Sequence, residues 1–215
     1  MNRKDIVREI YRLYEQWVRD HEFACRKGCS TCCTRSVTMT ELEGRLIGDY
    51  IESHPELAGR LPVDPETLHT PSTTTNRFAE LCMAGRDEQD DDDSWSFEPC
   101  SFLHDDSCLI YPVRSFMCRS FGSRVRCDES GVAEVEPWFL SLNTVIMQCL
   151  EHLDQGRPWG NMFNILRHLH NPGVNQNCAS LLTSVPSPGL LLHPDEMERL
   201  GSCIQTLTNF VSKDG

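Results

Sequence analysis

The feature that most constrains this chain is its 12 cysteines in 215 residues, of which eight fall into two clusters. Closely spaced thiols can converge on one soft metal ion, and thiolate suits zinc, copper(I) and the irons of iron–sulfur clusters. Structural zinc and iron–sulfur clusters both commonly take four protein ligands. The eight cysteines therefore predict two four-ligand sites, or one site and spare thiols. The clusters are Cys25-x3-Cys29-x2-Cys32-Cys33 and Cys100-x7-Cys108-x9-Cys118-x8-Cys127.

The adjacent cysteines Cys32 and Cys33 predict how the ligands are shared. Because adjacent side chains diverge, we expect the two thiols to bind different metal ions, or different irons of one cluster. We also expect each site to draw ligands from both clusters, so that metal joins the N-terminal loop to the middle of the chain. The spacing matches neither the usual ferredoxin run nor a paired zinc ribbon, so it does not name the metal. It also leaves open which of Cys32 and Cys33 is free to react.

The composition of the chain limits the compartments and the binding partners that are compatible with it. The sequence has no apolar run approaching the roughly 18 residues of a transmembrane helix. The charged residues 1–20 lack the apolar segment of a secretory signal. We therefore expect a cytoplasmic protein with reduced thiols rather than disulfides. The formal net charge of −12 disfavours nucleic acid and anionic membrane surfaces as partners, which leaves a protein substrate or partner.

Hydrophobic periodicity predicts a mostly α-helical fold, with irregular cysteine-rich metal-binding loops packed among the helices. Thr40 and Glu43 fit a capping box that begins one of these helices, and the preceding residues 36–39 are expected to be extended. Gly28 can supply a left-handed turn in the first cysteine loop. Little other strand signal is present. Helices are expected over residues 4–22, 41–53, 76–84, 137–153, 158–170 and 194–211.

At roughly 150 residues per domain, the length of 215 residues predicts one domain, residues 1–215. Within it we expect a metal-binding core over residues 20–130 and a helical extension over residues 135–215. The proline-rich residues 54–72 and the acidic residues 86–98 are expected to be loops. A hard-cation site in the acidic loop is the alternative, but the loop lacks the ligand spacing and the glycine of a calcium loop.

The second cysteine cluster has a positive charge balance within an acidic chain. Four arginines and two aspartates lie between Cys100 and Cys127. Cations beside thiolates lower the thiol pKa and stabilise an anionic metal centre. We predict this cofactor-binding role for Arg114 and Arg119 above all. The alternative is that these arginines lie at the surface and pair with acidic side chains.

The remaining candidates are mostly expected to have structural roles. Cys149 and Cys203 lie in predicted helices, where free cysteine is usually packed and inert. Cys82 and Cys178 are either packed or extra ligands. His104 is a substitute ligand that eight cysteines make unnecessary, and Tyr111 is expected in the core. His168 and His170 are two residues apart, too far around a helix to share a metal, and are expected at the surface.

At the two cysteine clusters and the residues around them, the chain resembles the zinc- or iron-chelating cysteine-cluster family, of the CxxCxxCC or YkgJ type. The resemblance covers roughly residues 20–130 and departs from the family pattern at Ser101 and Ser115, where proline is frequent. Neither departure removes a thiol, and Cys127 is the candidate for the later cysteine of the pattern. The matching stretches are Cys25-Arg-Lys-Gly-Cys-Ser-Thr-Cys-Cys33, Val37-Thr-Met-Thr-Glu-Leu-Glu43, Cys100-Ser-Phe-Leu, Cys108-Leu-Ile-Tyr-Pro-Val-Arg114 and Cys118-Arg-Ser-Phe121.

The resemblance implies metal binding by the eight cysteines and leaves the activity open. The family includes flagellin lysine N-methylase, whose similar region is thought to carry an iron–sulfur centre. The chain has no glycine-rich G-x-G-x-x-G nucleotide loop, so methyl transfer is not carried over. The first hypothesis is an iron–sulfur or iron centre, a [4Fe–4S] cluster above all, in a redox or protein-modifying enzyme. The alternatives are a zinc-stapled protein-binding module and a metal carrier without catalytic activity.

Overall fold

Helices dominate the computed structural model, which describes residues 2–26, 28–61, 68, 70–86, 97–170 and 181–211. The mostly α-helical prediction is thereby confirmed. The helices are α1 Arg3–Trp17, α2 Glu41–Glu52, α3 Thr75–Met83, α4 Phe116–Ser120, α5 Cys127–Ser130, α6 Pro137–Leu153, α7 Met162–His170 and α8 Met197–Val211. Short 3₁₀ turns cover Pro55–Arg60, Tyr111–Val113 and Pro194–Glu196. The strands are β1 Thr38–Thr40, β2 Leu103–His104, β3 Ser107–Cys108, β4 Pro158–Asn161 and β5 Leu182–Thr183.

Local sequence signals locate several helices well. The predicted capping box begins α2, where the Thr40 hydroxyl accepts a hydrogen bond from the Glu43 amide at 3.2 Å. In return the Glu43 carboxylate accepts from the Thr40 amide at 3.0 Å. Helix α6 has the predicted bounds, and α3 lies within one residue of its prediction. Helix α1 ends at Trp17, earlier than predicted. These signals succeed because they act within one or two turns of chain.

The prediction of a helix over residues 158–170 is wrong for its first turn. Residues Pro158–Asn161 instead form β4, the middle strand of an antiparallel sheet ordered β1-β4-β5. Thr40 pairs with Trp159 on one side, and Leu182 pairs with Trp159 on the other. The Asn161 side chain then accepts from the Phe163 amide at 3.0 Å, which lets α7 begin at Met162. The sequence did not predict this sheet, because its strands are too short to show an alternating hydrophobic pattern.

Two hydrophobic clusters form the core, and α2 lies between them. Ile10 of α1, Ile146 of α6 and Leu207 of α8 belong to the first cluster. Phe102 and Phe163 belong to the second, on which the sulfur-bearing residues Cys100, Cys108 and Cys118 also pack. Each cluster therefore mixes the predicted metal-binding core with the predicted C-terminal extension.

Buried carboxylates join α2 and α3 to the C-terminal half of α6. Asp154, with no exposed surface, accepts from the Leu42 amide at 2.8 Å. Burial raises the pKa of Asp154 to about 7, and the Leu42 amide acts in the opposite direction. Glu151 is also fully buried and accepts from the Asn76 amide at 2.7 Å and the Val185 amide at 2.9 Å. Burial likewise raises the pKa of Glu151.

The length and polarity of the helices determine whether any of them can cross a membrane. Across the described residues, every helix is too short or too polar to cross a bilayer.

Candidate metal centre

The first cysteine cluster lies on a loop built from successive tight turns. The Cys29 amide donates to the Arg26 carbonyl at 2.9 Å, and the Cys33 amide donates to the Ser30 carbonyl at 2.9 Å. Gly28 has φ of 88°, so the predicted left-handed turn is confirmed. These turns keep the four cysteines of the loop within a short stretch of chain.

Main-chain hydrogen bonds hold this loop against the second cysteine segment. The Cys100 amide donates to the Cys33 carbonyl at 2.8 Å, and the Ala24 amide donates to the Ser123 carbonyl at 2.8 Å. Between these two points, the Ser30 hydroxyl donates to Asp106 at 2.7 Å. The structure thus brings the two sequence clusters together through backbone contacts at both ends of the loop.

The second segment positions its cysteines on two small elements. Strands β2 and β3 form a hairpin in which Leu103 pairs with Cys108. Asp105 and Asp106 make the turn with φ of 46° and 54°, the two positive values that a type I′ hairpin needs. Cys118 lies on the short helix α4, and Cys127 begins α5. The two aspartates therefore have a backbone role that their charge alone does not reveal.

Four thiols influence one another electrostatically beside the second hydrophobic cluster. We call Cys33, Cys100, Cys108 and Cys118 the inner cysteine group. A hydrogen bond from the Cys32 thiol lowers the pKa of Cys33, while burial and then the charges of the other three inner thiols raise it. Burial raises the pKa of Cys100 to about 11 and that of Cys118 to about 12.

The other four cysteines of the two clusters form a second group, in which Cys32 is exposed and the other three are half-buried. We call Cys25, Cys29, Cys32 and Cys127 the outer cysteine group. Burial raises the pKa of Cys25, the Ser123 amide lowers it, and the charges of the other three outer thiols raise it again. Three of the four, Cys25, Cys29 and Cys127, line a cavity of about 230 Å³. The adjacent pair Cys32 and Cys33 is thus divided between the two groups, although one hydrogen bond joins its thiols.

Backbone amides or a hydroxyl donate hydrogen bonds to three of the four inner sulfurs. The amides of Phe102 and Leu103 donate to Cys100, which opposes the effect of burial on its pKa. The Ile110 amide does the same for Cys108. The Ser115 hydroxyl lies 3.6 Å from the Cys118 sulfur. Such donors stabilise thiolate and are a means by which proteins tune cysteine-ligated clusters.

The two arginines predicted to act on a cofactor differ in what they contact. The Arg114 guanidinium lies 4.0 Å from the centre of the Tyr111 ring. Its charge lowers the pKa of Cys32, Cys108 and Cys118, against the larger effects that raise them. The prediction that Tyr111 is a core residue is wrong: its surface is 57 % exposed, and its ring stacks on the Arg114 guanidinium rather than packing in either hydrophobic cluster.

Arg119 is engaged in the fold. Its guanidinium is 2.5 Å from Glu15 and donates to the carbonyls of Arg114 and Pro112, each at 3.0 Å. It also lies 4.2 Å from the Tyr11 ring centre. These contacts place Arg119 between α1 and the turn before α4, so its predicted action on a cofactor stays a prediction.

Sequence reasoning missed one cation near the inner group. Burial has the largest effect on the pKa of Cys100 and raises it. The Phe102 amide and, less strongly, the charge of Arg35 lower it. Arg35 also pairs with Glu98. Its closeness to Cys33 in the sequence was the signal available. Arg124 pairs with Glu136 at 3.2 Å, and Arg126 pairs with Glu129 at 2.8 Å. These two arginines therefore follow the alternative prediction, in which they lie at the surface and pair with acidic side chains.

The other candidates are distributed over the fold. Cys149 is buried as predicted, with 4 % of its surface exposed, and Cys203 is half-buried on α8. Cys82 is exposed at the end of α3, and His104 is exposed at the β2–β3 hairpin. His170 is exposed, as expected, and His168 is half-buried. The candidate Cys178 and residues 87–96 of the acidic loop lie outside the described residues.

The donor chemistry of both groups suits a soft metal, but the sulfurs are not arranged as a closed coordination shell. Every described cysteine is a free thiol. Within the described ranges, no three His, Cys, Asp or Glu side chains are close enough together to hold one metal ion. Metal binding requires the thiols of a group to turn toward each other, and it stays a prediction.

Comparison with known proteins does not identify the chain. No protein family, curated protein or solved structure matches it.

Proposed function

We propose that this protein is a thiolate metalloprotein whose inner cysteine group holds an iron–sulfur cluster, with [4Fe–4S] as the first candidate. The observation that carries the proposal is that four cysteines from separate parts of the chain come together: the Cys100 amide donates to the Cys33 carbonyl at 2.8 Å, and Cys100, Cys108 and Cys118 pack on the same hydrophobic cluster. Four cysteines are the usual ligand set of such a cluster. The resemblance of the cysteine motifs to the cysteine-cluster family points the same way.

The surroundings of the inner group favour a cluster over a single zinc ion. Backbone amides donate to Cys100 and Cys108, and the group packs on the second hydrophobic cluster. A cysteine-ligated cluster is anionic and depends on such donors and on nearby cations for its stability and potential. Arg114 and Arg35 supply the cations. The proposal includes a cytoplasmic location, because a reducing compartment keeps thiols available to bind metal.

The bound cluster would supply one-electron chemistry, and the chain would supply its surroundings. In the proposal, the four inner thiols hold the cluster and Arg114 stabilises its negative charge. The stacking of Arg114 on Tyr111 fixes the cation in place. The outer group is then a second thiolate site on the solvent side, toward which a protein substrate can approach. This arrangement serves a redox or protein-modifying enzyme.

The second candidate is a zinc-stapled module without catalytic activity. Exposed apolar side chains on the C-terminal helices favour it: Leu140 of α6 is 54 % exposed and Met197, at the start of α8, is 52 % exposed. A helical surface of this kind can bind another protein. In a variant of this idea the outer group, which lines an open cavity, carries an exchangeable metal ion.

Absorption spectroscopy with elemental analysis tests the proposal directly. Protein purified without oxygen is expected to be brown, with a broad band near about 400 nm and about four irons per chain. A Cys100→Ser variant should lose the band, whereas Cys203→Ser should keep it. A colourless protein with one or two zinc ions would overturn the cluster and favour the zinc module. Protein without any bound metal, even after reconstitution, would overturn both.

A further inference from the structure

Glu43 is a buried acidic residue whose contacts exceed what helix capping needs. Its surface is 4 % exposed. One carboxylate oxygen accepts from the Thr40 amide and hydroxyl, each at 3.0 Å, which completes the capping box of α2. The other oxygen accepts from the Tyr11 hydroxyl and from the Phe116 amide, each at 2.7 Å. Glu43 therefore joins α1 and α4 to the beginning of α2.

The contact with Phe116 matters because α4 carries Cys118. Serine at the position before a helix usually accepts from an amide of the first turn. Ser115 makes no such bond to any described residue, and its hydroxyl lies 3.6 Å from the Cys118 sulfur instead. The first amide of α4 is satisfied from another helix, by Glu43. The Ser115 hydroxyl donates to the Cys118 sulfur instead of capping the helix.

We infer that Glu43 is a positioning residue for the inner cysteine group: through the Phe116 amide, it holds the Ser115–Cys118 turn from which the Cys118 thiol reaches the other inner thiols when metal binds. The inference rests on the proposed function insofar as those thiols bind metal. The position of Cys118 itself can be tested without metal.

Other anchors hold α4 when Glu43 is removed. The Thr38 amide donates to the Met117 sulfur at 3.2 Å, and the Asn143 side chain donates to the Ser120 carbonyl at 3.2 Å. The Tyr14 hydroxyl donates to the Arg119 carbonyl at 3.3 Å. These contacts fix the middle and the end of α4. Loss of Glu43 is therefore expected to loosen the Ser115–Cys118 turn while the helix stays docked.

Three variants separate positioning from capping. Glu43→Ala removes both carboxylate oxygens, and Glu43→Gln keeps an acceptor that can reach the Phe116 amide. Thr40→Ala is the matched control, because it removes the capping hydroxyl and leaves the contacts with Phe116 and Tyr11 in place. A role limited to the capping of α2 would give Thr40→Ala and Glu43→Ala the same effect.

The first measurement is the alkylation rate of each cysteine in metal-free protein, followed by mass spectrometry. Glu43→Ala should raise the rate at Cys118 severalfold, Glu43→Gln should raise it less, and Thr40→Ala should leave it unchanged. The buried Cys149 reports global unfolding and should not change in any variant. Equal effects in Glu43→Ala and Thr40→Ala, or a parallel rise at Cys149, would overturn the inference. If Glu43→Ala does not fold, the comparison of Glu43→Gln with Thr40→Ala decides in the same way.

The second measurement is cobalt(II) affinity, followed by the thiolate charge-transfer absorption. Removal of a residue that orients a ligand typically weakens metal binding by about 10- to 100-fold. We expect a loss of that size in Glu43→Ala, a smaller loss in Glu43→Gln and none in Thr40→Ala. Unchanged affinity in Glu43→Ala would count against the positioning role. Wild-type protein that binds no cobalt would contradict the proposed function, and the alkylation rates would still decide the role of Glu43.

Discussion

The inner and outer cysteine groups contain the same side chain in two different surroundings. Three inner thiols pack on a hydrophobic cluster, and two of them, Cys100 and Cys108, receive hydrogen bonds from backbone amides. In the outer group, the Ser123 amide donates to Cys25, and three thiols line an open cavity. Thiol chemistry alone cannot distinguish the groups, so their difference must come from packing and access.

Because of this difference, we expect metal bound to the two groups to differ in its effect on protein stability and in its rate of exchange. Metal held by the inner group would connect the first loop, the β2–β3 hairpin and α4, and so would contribute directly to the free energy of folding. Metal held by the outer group would connect a surface loop to the start of α5 and would meet solvent through the cavity. We therefore expect the inner site to stabilise the fold and the outer site to exchange its metal.

The largest expected effect is on the thermal stability of the metal-loaded protein. Cys118→Ser should lower the melting temperature by roughly 10 °C, because metal present at several hundred times its Kd contributes about 3–4 kcal/mol. Cys29→Ser should lower it by less than half as much. Calorimetry of both loaded variants measures this. A larger loss in Cys29→Ser would reverse the comparison between the groups.

The next effect concerns the rate of metal removal. A chelator should remove metal from the wild-type protein in two phases, with the outer site roughly tenfold or more faster because it opens to the cavity. Cys29→Ser should lose the fast phase and keep the slow one. An absorbance assay for released metal follows both. A single phase carrying all the metal would show that access does not distinguish the groups.

A pH effect outside both groups provides a reference for the stability measurements. The pKa of Asp154 is raised to about 7 by burial first, with Glu41 and Glu43 also raising it and the Leu42 amide and Arg157 lowering it. The folded state therefore holds a proton that the unfolded state loses near pH 4. This contribution to stability is fully present below about pH 4 and is lost progressively as pH rises to about 7, by roughly 4 kcal/mol for a pKa raised from 3.8 to about 7.

Asp154→Asn isolates this contribution. Its amide oxygen can still accept from the Leu42 amide, but it does not titrate. Denaturant unfolding of metal-free protein between pH 5 and pH 8 should show a smaller decline in the variant, with a residual slope because the pKa of Glu151 is also raised by burial. An unchanged slope would mean that Asp154 does not titrate in this range. Metal release from the two cysteine groups should be the same as in wild type.

The parts of the fold that sequence predicts well are those specified by adjacent residues. Thr40 and Glu43 predicted the start of α2, and proline at position 137 marked the start of α6. Strand β4 was missed because its backbone partners, β1 and β5, lie far away in the chain. Trp159 has no alternating pattern around it that could reveal such a pairing.

In the candidate site, too, the sequence does not predict the features that depend on contacts between distant residues. The sequence predicts that the side chains of Cys32 and Cys33 diverge, but a hydrogen bond joins their thiols. It does not predict which distant thiols each one approaches, since that depends on the hydrogen bond from the Cys100 amide to the Cys33 carbonyl. The exposed position of Tyr111 was missed for a related reason: an aromatic ring beside a cysteine suggests a core residue, and its contact with Arg114 emerges only in three dimensions.

The smallest expected effect comes from a cysteine that belongs to neither group. Cys203 is half-buried on α8 and packs at the edge of the first hydrophobic cluster, away from both thiol groups. Cys203→Ser should change the free energy of unfolding by only about 0.5 kcal/mol, because it exchanges a partly buried sulfur for a slightly smaller hydroxyl. Its metal content and both release phases should equal those of wild type. Loss of metal in this variant would show that thiols outside the two groups take part in binding, and the division into an inner and an outer group would no longer account for the cysteines of this chain.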